Sequence, residues 1–418
     1  MIAPAISFGI PSFVSAAYSS SNRLNSCIRG RNTLCAHMED RINSDYNKVP
    51  TCSSNAENKL LQLTQSHFAA QALFGFVQLG IPDVLDASHA MTVDEIVSRL
   101  KPTNIVRHDV LFRCLRLLCT VGVIQEGAKV VGRTSQSTFS LTDMGELLRT
   151  SDSEGMIPFV MHWMEDPLWN AWSQLPNYLT GNEDARPPFD TANGMSASEY
   201  YANNLNSQRH RNAVARYASS KEITSILDAI CSDNSYLNET TLSGKTIVDI
   251  GGGYGDLLFE TKRSIPTIGT CYCIDLPDVI QKAISANNNK DGTVNLVAGD
   301  MFDYKTIPEC DVIFAKHVLC DFSDLDVVRA LQSFHKMLSP SGKLVIMDAV
   351  LPNGDDLNGK WNPAVSFDVL LMLSGRRGER SRLEWSNLAC EAGFVLDEVV
   401  STSSVTVDLA IFSKITPA

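Results

Sequence analysis

Residues 246–256 read Thr-Ile-Val-Asp-Ile-Gly-Gly-Gly-Tyr-Gly-Asp, so that an apolar strand pattern runs directly into four glycines within five positions. Glycines between a strand and a helix let the backbone approach a ligand without interference from Cβ atoms. The dinucleotide fingerprint needs glycines at its first, third and sixth positions. Counted from Gly251 the sixth position is Asp256, and counted from Gly253 it is Leu258. The turn therefore disfavours a nicotinamide dinucleotide, and a tight turn without any ligand is the alternative to a different ligand.

Short apolar segments alternate with helical patterns from Leu242 onward. This alternation predicts an α/β fold, with a parallel sheet and helices on both of its faces. In such sheets ligands bind beyond the carboxyl ends of the strands, so the chemistry is expected there. The predicted strands are Thr246–Ile250, Thr270–Ile274, Val294–Ala298, Val312–Ala315 and Lys343–Asp348.

Acidic residues lie at the ends of the second and third predicted strands. A carboxylate at Asp275 can accept hydrogen bonds from both ribose hydroxyls of a nucleoside. At the next strand end Asp300 can accept from an exocyclic amine, and Met301 can cover the face of a purine ring. Each aspartate taken alone is also a common helix N-cap. Together with the glycine turn, the order of these strand ends favours nucleoside binding.

The part of the chain before the predicted sheet is mostly helical by its apolar periodicity. A capping box begins at Thr92 and ends at Glu95, and the stretch Val123–Leu141 suits a small β-wing. The predicted organisation is a leader and linker over residues 1–56, a helical domain over 57–220 and a second domain over 221–418.

The first 38 residues contain no acidic residue, but Arg23, Arg29 and Arg31 stand among serines. Such N-termini are typical of organelle transit peptides, which are removed and are no part of the fold. The sequence therefore predicts a plastid or mitochondrial protein. A disordered tail on a cytoplasmic protein is the alternative.

Composition excludes several classes of partner. The net charge of -12 argues against a general affinity for nucleic acid or anionic membranes. No run of 18 apolar residues predicts a membrane span. The cysteines form no CxxC pair and no Cys/His ligand spacing, so neither a zinc site nor any other metal site is predicted.

At these motifs the sequence resembles the plant-type small-molecule methyltransferases, which include caffeate and hydroxyindole O-methyltransferases. The resemblance rests on VDIGGGYG (248–255), IDLPDVI (274–280), AGDMF (298–302), CDFSD (320–324) and GERSRLEW (378–385), and it covers the chain from Glu57 onward. It implies a Rossmann-like class I methyltransferase domain and a winged-helix-like N-terminal domain that forms a homodimer. It also implies S-adenosylmethionine as cofactor, bound at Gly251, Gly253, Asp275, Asp300, Met301 and Lys316.

The sequence departs from this family at the catalytic base. The family pattern has a histidine before the aspartate of the CDFSD segment, where this sequence has Cys320, while its acidic partners match Asp348 and Glu379. A thiol is mostly protonated at neutral pH, and a thiolate would be a nucleophile open to methylation itself. Cys320 is therefore interpreted as a pocket residue rather than a base. His317 is the nearest residue that could replace the base.

The missing histidine limits the methyl acceptor. A thioether sulfur carries a lone pair and no proton, so its methylation needs positioning but no base. The sequence thus favours S-methylation of a thioether such as methylthiohydroxybutyrate, as in dimethylsulfoniopropionate synthesis. The alternatives are an O- or N-methyltransferase with another base, an enzyme that retains the cofactor without transferring methyl, and an inactive binding module.

The residues of the acceptor pocket are indicated by the resemblance and by no motif of their own. The resemblance places it near His162, Trp163 and Met372, although such residues are equally consistent with the core or a dimer interface. A carboxylate-bearing acceptor would need a cationic anchor. The candidates are Arg209, Arg211, Arg216, Arg376 and Arg377.

Overall fold

The computed structural model describes residues 54–415 apart from 86–87, 101–104, 132–133, 151–154, 182–184, 233–236, 287–291 and 358. The predicted transit peptide lies almost entirely outside the described residues. The chain divides between Ser66 and His67 into two units. The first unit contributes only the beginning of the first helix to the described residues, and the second holds everything that follows.

Helices dominate the first half of the chain. Among the described residues, no helix combines the length and apolarity needed to span a membrane. The helices are α1 (Ser54–Gln78), α2 (Ile81–Val84), α3 (Val93–Arg99), α4 (His108–Thr120), α5 (Asp143–Glu146), α6 (Ile157–Trp163), α7 (Asp166–Trp172), α8 (Leu175–Tyr178), α9 (Pro188–Asn193), α10 (Ala197–Asn203), α11 (Leu205–Ile230), α12 (Glu239–Leu242), α13 (Asp256–Ser264), α14 (Pro277–Ser285), α15 (Asp324–Met337), α16 (Gly354–Leu357), α17 (Pro363–Leu373) and α18 (Arg382–Glu391).

The strands form one large sheet and two small ones. They are β1 (Ile124–Val131), β2 (Thr134–Leu141), β3 (Ile247–Ile250), β4 (Cys271–Asp275), β5 (Asn295–Ala298), β6 (Cys310–Lys316), β7 (Leu338–Asp348), β8 (Val350–Leu351), β9 (Arg380–Ser381), β10 (Phe394–Ser401) and β11 (Asp408–Lys414). The large sheet has the order β10-β11-β7-β6-β3-β4-β5.

The N-terminal helices pack around a core that includes Phe76, Ile81, Leu115 and Phe139. The predicted capping box is present, because the Thr92 side chain accepts from the backbone of Glu95 while the Glu95 carboxylate accepts from the backbone of Thr92. The predicted β-wing is the antiparallel hairpin of β1 and β2. Helix α11 connects this half to the sheet. The predicted division at residues 220/221 falls inside this helix, and the domain limits stay a prediction.

The five predicted strands are confirmed as the parallel part of the large sheet, from β7 through β6, β3 and β4 to β5. The expectation of a purely parallel sheet is incomplete, because β11 joins β7 in antiparallel orientation and β10 follows it. An antiparallel edge on an otherwise parallel sheet is common in α/β folds. The predicted fold class is confirmed.

Successive residues of the central strands face opposite sides of the sheet. Val248 and Ile313 pack against α15 and α18, while Ile247 and Phe314 pack in the core on the α11 and α13 side. Both faces are therefore covered by helices, as the alternating pattern predicted. The chain starts the parallel sheet at β3, proceeds outward to β5 and then crosses back to β6. The crevice at the carboxyl ends of β3 and β6 is thus the topological switch point, where such sheets bind ligands.

Candidate functional site

The glycine turn after β3 has a backbone conformation that favours glycine. Gly251, Gly253 and Gly255 have φ angles of 66°, 59° and 83°, in the left-handed region that side chains disfavour. A Cβ atom on Gly251 would collide with Val318, which follows β6. A Cβ atom on Gly253 would meet nothing within 4 Å. The turn therefore packs tightly against the neighbouring strand end and leaves its backbone open at Gly253, which fits a bound cofactor.

Asp275 at the end of β4 connects the second strand end to this turn. Its Oδ2 accepts from the backbone N–H of Gly253 at 2.9 Å, and its Oδ1 accepts from the N–H of Leu276 at 2.7 Å. A carboxylate has about four acceptor sites, so lone pairs remain for the hydroxyls of a ribose. The structure therefore places a carboxylate with unused acceptor sites beside the open backbone of the turn, and its role toward a nucleoside stays a prediction.

The acidic residue that follows β5 is more exposed to solvent than Asp275 at the end of β4. Asp300 is exposed, and its Oδ1 accepts from the N–H of Phe302 at 2.9 Å. Met301 is half-buried and packs against the core cluster under β4 and β6. The structure thus places Asp300 and Met301 at the same edge of the sheet as Asp275. Their roles toward a cofactor stay predictions.

Lys316 ends β6, and its ammonium group is held by a residue that sequence reasoning missed. Its Nζ lies 2.9 Å from Glu222 on α11, whose side chain is only 4% exposed. The other Glu222 oxygen is 2.9 Å from His317 Nε2 and 2.7 Å from Thr406 Oγ1. Burial alone would raise the pKa of Glu222. The charges of His317 and Lys316 and their hydrogen bonds outweigh it and hold that pKa well below its usual range.

His317 has a strained backbone that aims its ring. Its φ of 52° is the only positive value among the described non-glycine residues, and such conformations cluster at functional sites. Its backbone N–H donates to Asp348 Oδ1 at 2.8 Å. Because ionised Glu222 accepts from Nε2, the neutral form of the ring would carry its proton there and its lone pair on Nδ1. This Nδ1 is buried and finds no hydrogen-bond partner in the described part of the chain.

Cys320, Asp348 and Glu379 meet next to His317 and are all at most 3% exposed. Burial strongly raises the pKa of the Cys320 thiol, and the negative charges of Asp348 and Glu379 raise it further. Burial, followed by the charge of Asp348, raises the pKa of Glu379 to about 9. Burial likewise raises the pKa of Asp348. At neutral pH the Cys320 thiol and the Glu379 carboxyl group therefore hold their protons and cannot accept one.

The two acids are also short of hydrogen bonds. Asp348 Oδ2 and both carboxyl oxygens of Glu379 are buried without a partner among the residues that the structure describes. A buried carboxyl group without partners is costly, so such groups usually mark a ligand or an ion. Asp348 Oδ1 lies 3.7 Å from His317 Nδ1, and the three other carboxyl oxygens are placed to face a further positive charge from a ligand.

A metal ion is one cation that could be held here. The donor atoms of His317, Cys320 and Glu379 all lie within 4.8 Å of one another. Nitrogen, sulfur and oxygen donors of this kind suit zinc. No metal was predicted from the sequence because no CxxC pair or Cys/His ligand spacing was recognised, although only Glu379 is distant in the chain from His317 and Cys320. That prediction stays open to test.

Arg380 fixes the position of the loop that carries Cys320. Its fully buried guanidinium donates to the carbonyl of Leu319 at 2.9 Å, to that of Phe322 at 2.8 Å and to the Asp324 carboxylate. It thereby holds the short turn that carries Cys320. The backbone of Glu379 donates to Asp368 at 2.7 Å. Arg380 belongs to the GERSRLEW motif (378–385), but the sequence does not reveal which carbonyl groups this arginine binds.

The predicted pocket residues lie toward the N-terminal half. His162 is buried, with Nδ1 3.2 Å from Glu165 and its ring 5.6 Å from that of Tyr201. Met372 packs against the small core cluster that contains Tyr201. Trp163 is 37% exposed and contacts Phe159. His162 and Met372 thus adjoin one aromatic residue, Tyr201, while Trp163 contacts a different one.

Comparison with known proteins agrees with this architecture. The sequence model of the O-methyltransferase domain matches residues 172–395, and that of the O-methyltransferase dimerisation domain matches residues 61–151. The chain is 28% identical over 329 residues to probable O-methyltransferase 3 of Humulus lupulus, covering 76% of this chain and 82% of that protein. It is 29% identical to nicotinate N-methyltransferase 1 of Glycine max, covering 80% and 90%.

Solved structures of methyltransferases share the fold. CalO1, a methyltransferase in calicheamicin biosynthesis in its SAH-bound form, superposes with a TM-score of 0.70 at 24% identity, over 87% of this chain and all of that one. Human N-acetylserotonin methyltransferase in complex with SAM gives a TM-score of 0.67 at 19% identity, over 88% and 100%. At these identities the likeness concerns the fold alone.

The resemblance inferred from the motifs is thus confirmed, since the domain model covers more than half of the chain. The dimerisation model covers the helices and hairpin of the N-terminal half and supports a homodimer. The chain belongs to the O-methyltransferase domain family, and it is an S-adenosylmethionine-dependent methyltransferase of small molecules.

Proposed function

We propose that this enzyme methylates the sulfur of a thioether, in an acceptor such as methylthiohydroxybutyrate on the route to dimethylsulfoniopropionate. The observation that carries the proposal is the composition of the buried cluster. Cys320 stands where the resemblance implies a catalytic histidine, and it is buried beside two carboxyl groups, three of whose four oxygens have no hydrogen-bond partner among the described residues.

The cluster is poorly equipped to remove a proton. Burial and the neighbouring acids raise the pKa of the Cys320 thiol, so the thiol stays protonated. A hydroxyl acceptor loses a proton during methylation, and general-base help contributes about 100- to 10,000-fold in rate. A thioether has no proton to lose. The absence of the base therefore costs such an acceptor nothing.

The same cluster is suited to a positive charge. When bound, S-adenosylmethionine supplies an electrophilic methyl group on a sulfonium, so an attacking sulfur lone pair takes the methyl and the positive charge together. The Asp348 carboxylate accepts from the backbone N–H of His317, and the backbone N–H of Glu379 donates to Asp368. Three of the four carboxyl oxygens of the pair have no hydrogen-bond partner among the described residues. Preorganised acids of this kind stabilise a cation that arrives during the reaction. Gly253 and Asp275 would hold the cofactor on the other side of the crevice.

The test is methyl transfer by the purified full chain to a panel that sets thioethers beside caffeate-like phenols and indoles. Cys320→Ala should keep thioether turnover within about tenfold of the wild type, because a positioned acceptor without a proton needs no base. The control is Cys390→Ala, which removes an exposed cysteine of α18. A loss above about a hundredfold in Cys320→Ala, with unchanged S-adenosylhomocysteine binding, would contradict the proposal.

A second candidate is O-methylation with His317 as a displaced base. The observation that favours it is the hydrogen bond of Nε2 to Glu222, which leaves the lone pair on a buried Nδ1. A carboxylate that orients a histidine in this way is a common feature of general bases.

His317→Asn separates the two candidates. Asparagine tolerates the left-handed backbone of this position, so the substitution adds little strain. If the acceptor is a thioether, we expect turnover within about tenfold of the wild type, because no proton is transferred. A loss of about 100-fold or more on a phenol, together with loss of the acidic limb of the pH–rate profile, would instead assign His317 as the base.

A further inference from the structure

Two arginines lie beside the buried cluster and share one acidic residue. Arg376, in the loop between α17 and β9, places Nη1 2.7 Å from Asp321 Oδ1. Asp321 directly follows Cys320, and its Oδ1 is 3.9 Å from the Cys320 sulfur. The ion pair therefore stands next to the cluster that faces the methyl acceptor.

The second arginine projects from helix α11. Arg211 and Glu222 are about three turns apart, so they lie on the same face of the helix. Glu222 binds the residues at the end of β6, which turns this face toward the site. The guanidinium of Arg211 lies 5.2 Å from the ring centre of Tyr201, the aromatic residue that also contacts His162.

Arg211 forms no ion pair with a carboxylate among the described residues, and the charged or ionisable groups that act on its pKa are Arg376, Tyr201 and Asp321. Burial lowers the pKa of Arg211, and the charge of Arg376 lowers it further. A guanidinium nevertheless stays charged in proteins. Two guanidinium groups thus adjoin one carboxylate, so that one of them has no carboxylate partner among the described residues.

The other candidate arginines are accounted for differently. The Arg377 guanidinium already pairs with two carboxylates, that of Asp324 at 3.1 Å and that of Glu384 at 2.6 Å. Arg209 and Arg216 are exposed on α11, as Arg211 is, but they lie on other faces of the helix than Glu222. Arg209 is two residues from Arg211 and therefore points to nearly the opposite side of the helix.

We propose that Arg211 and Arg376 bind a carboxylate of the methyl acceptor, so that the substrates of this enzyme are small organic acids. The proposal rests on the proposed function, because it assumes that the acceptor occupies the cluster around Cys320. A guanidinium donates two parallel hydrogen bonds to a carboxylate, which fixes the orientation of the acid. One guanidinium group without a carboxylate partner matches a singly charged carboxylate better than a phosphate. Tyr201 and His162 would then line the stretch of pocket beside this anchor.

The experiment compares each acid with its own primary amide, which has nearly the same shape but no charge. The probes are methylthiohydroxybutyrate and its amide, and caffeate and its amide. Binding of each to the full-length enzyme with S-adenosylhomocysteine is measured by calorimetry, and KM and kcat are measured wherever turnover occurs. The variants are Arg211→Gln, Arg376→Gln and the charge-conserving Arg211→Lys, with Arg209→Gln as the matched control on the same helix.

We expect Arg211→Gln and Arg376→Gln each to weaken binding of the acid by roughly 10- to 100-fold, and to raise its KM accordingly. Binding of the amide should change little, kcat should fall less than KM rises, and Arg211→Lys should restore part of the affinity. Arg209→Gln should match the wild type.

Three results would overturn the anchor: equal binding of acid and amide by the wild type, equal losses for acid and amide in the variants, or no binding of either acid. If caffeate shows the expected discrimination and thioethers are not methylated, the anchor stands and the proposed acceptor sulfur is wrong. If a thioether is methylated with equal KM for acid and amide, the proposed sulfur stands and the anchor is wrong.

Discussion

Replacing Asp275 by alanine is expected to weaken the binding of S-adenosylmethionine and S-adenosylhomocysteine by about a hundredfold or more. The carboxylate can accept from two ribose hydroxyls, and hydrogen bonds to a charged group contribute about 1.5–3 kcal/mol each. It also accepts from the backbone of Gly253, so its loss frees the turn that the cofactor must contact. Both effects act in the same direction.

Calorimetric titration of the full chain with S-adenosylhomocysteine measures this loss directly. The matched control is Asp278→Ala, which removes an exposed aspartate three residues further on whose contact is an ion pair with Lys282 at 3.5 Å. Such an exposed pair contributes little. An affinity within tenfold of the wild type in Asp275→Ala would mean that the cofactor does not contact this strand end.

The cofactor half of the site could be predicted because its signals are local. Each glycine or acidic residue follows the strand that positions it by only a few residues, and all parallel strands end at the same edge of the sheet. Gly251, Asp275 and Asp300 could therefore be placed together before any contact was known. The five strands of that half were predicted for the same reason.

The acceptor half could not be derived in this way. Glu222 is 94 residues from Lys316 in the sequence, and only the packing of α11 against the sheet brings the two together. On its own helix Glu222 reads as an ordinary polar residue among others. Likewise, the roles of Arg380 and Asp368 depend on which loops they contact. The antiparallel strands β10 and β11 lacked the alternation with helices that revealed the other strands.

The second large effect is expected from substitution of the buried acid Glu379. Glu379→Gln should lower kcat for a thioether by about 100- to 1000-fold, the effect typical of losing a preorganised electrostatic group. The affinity for S-adenosylhomocysteine, which is not a sulfonium, should change little. Glu391→Gln, at an exposed position on α18, serves as the control for the same chemical change.

This substitution also has a signature in stability. The folded protein raises the pKa of Glu379 from 4.5 to about 9, because burial disfavours the carboxylate. Between these two values, and without a bound cation, the unfolded chain is ionised at this residue while the folded chain holds a proton. The wild type therefore loses stability as pH rises through this window, and glutamine does not titrate. The Tm of Glu379→Gln relative to the wild type should accordingly rise from acidic to alkaline pH.

The two measurements together decide what the acid does. Glutamine has the shape of a protonated glutamic acid, so it preserves a group that is needed only for packing. If kcat is retained while the relative Tm rises with pH, the carboxyl group stays neutral during the reaction and stabilises no cation, and the proposed mechanism fails. If kcat falls although the variant is more stable at alkaline pH, loss of folding cannot explain the loss of rate. The charge of the carboxylate is then required, as expected of a group that faces a sulfonium product.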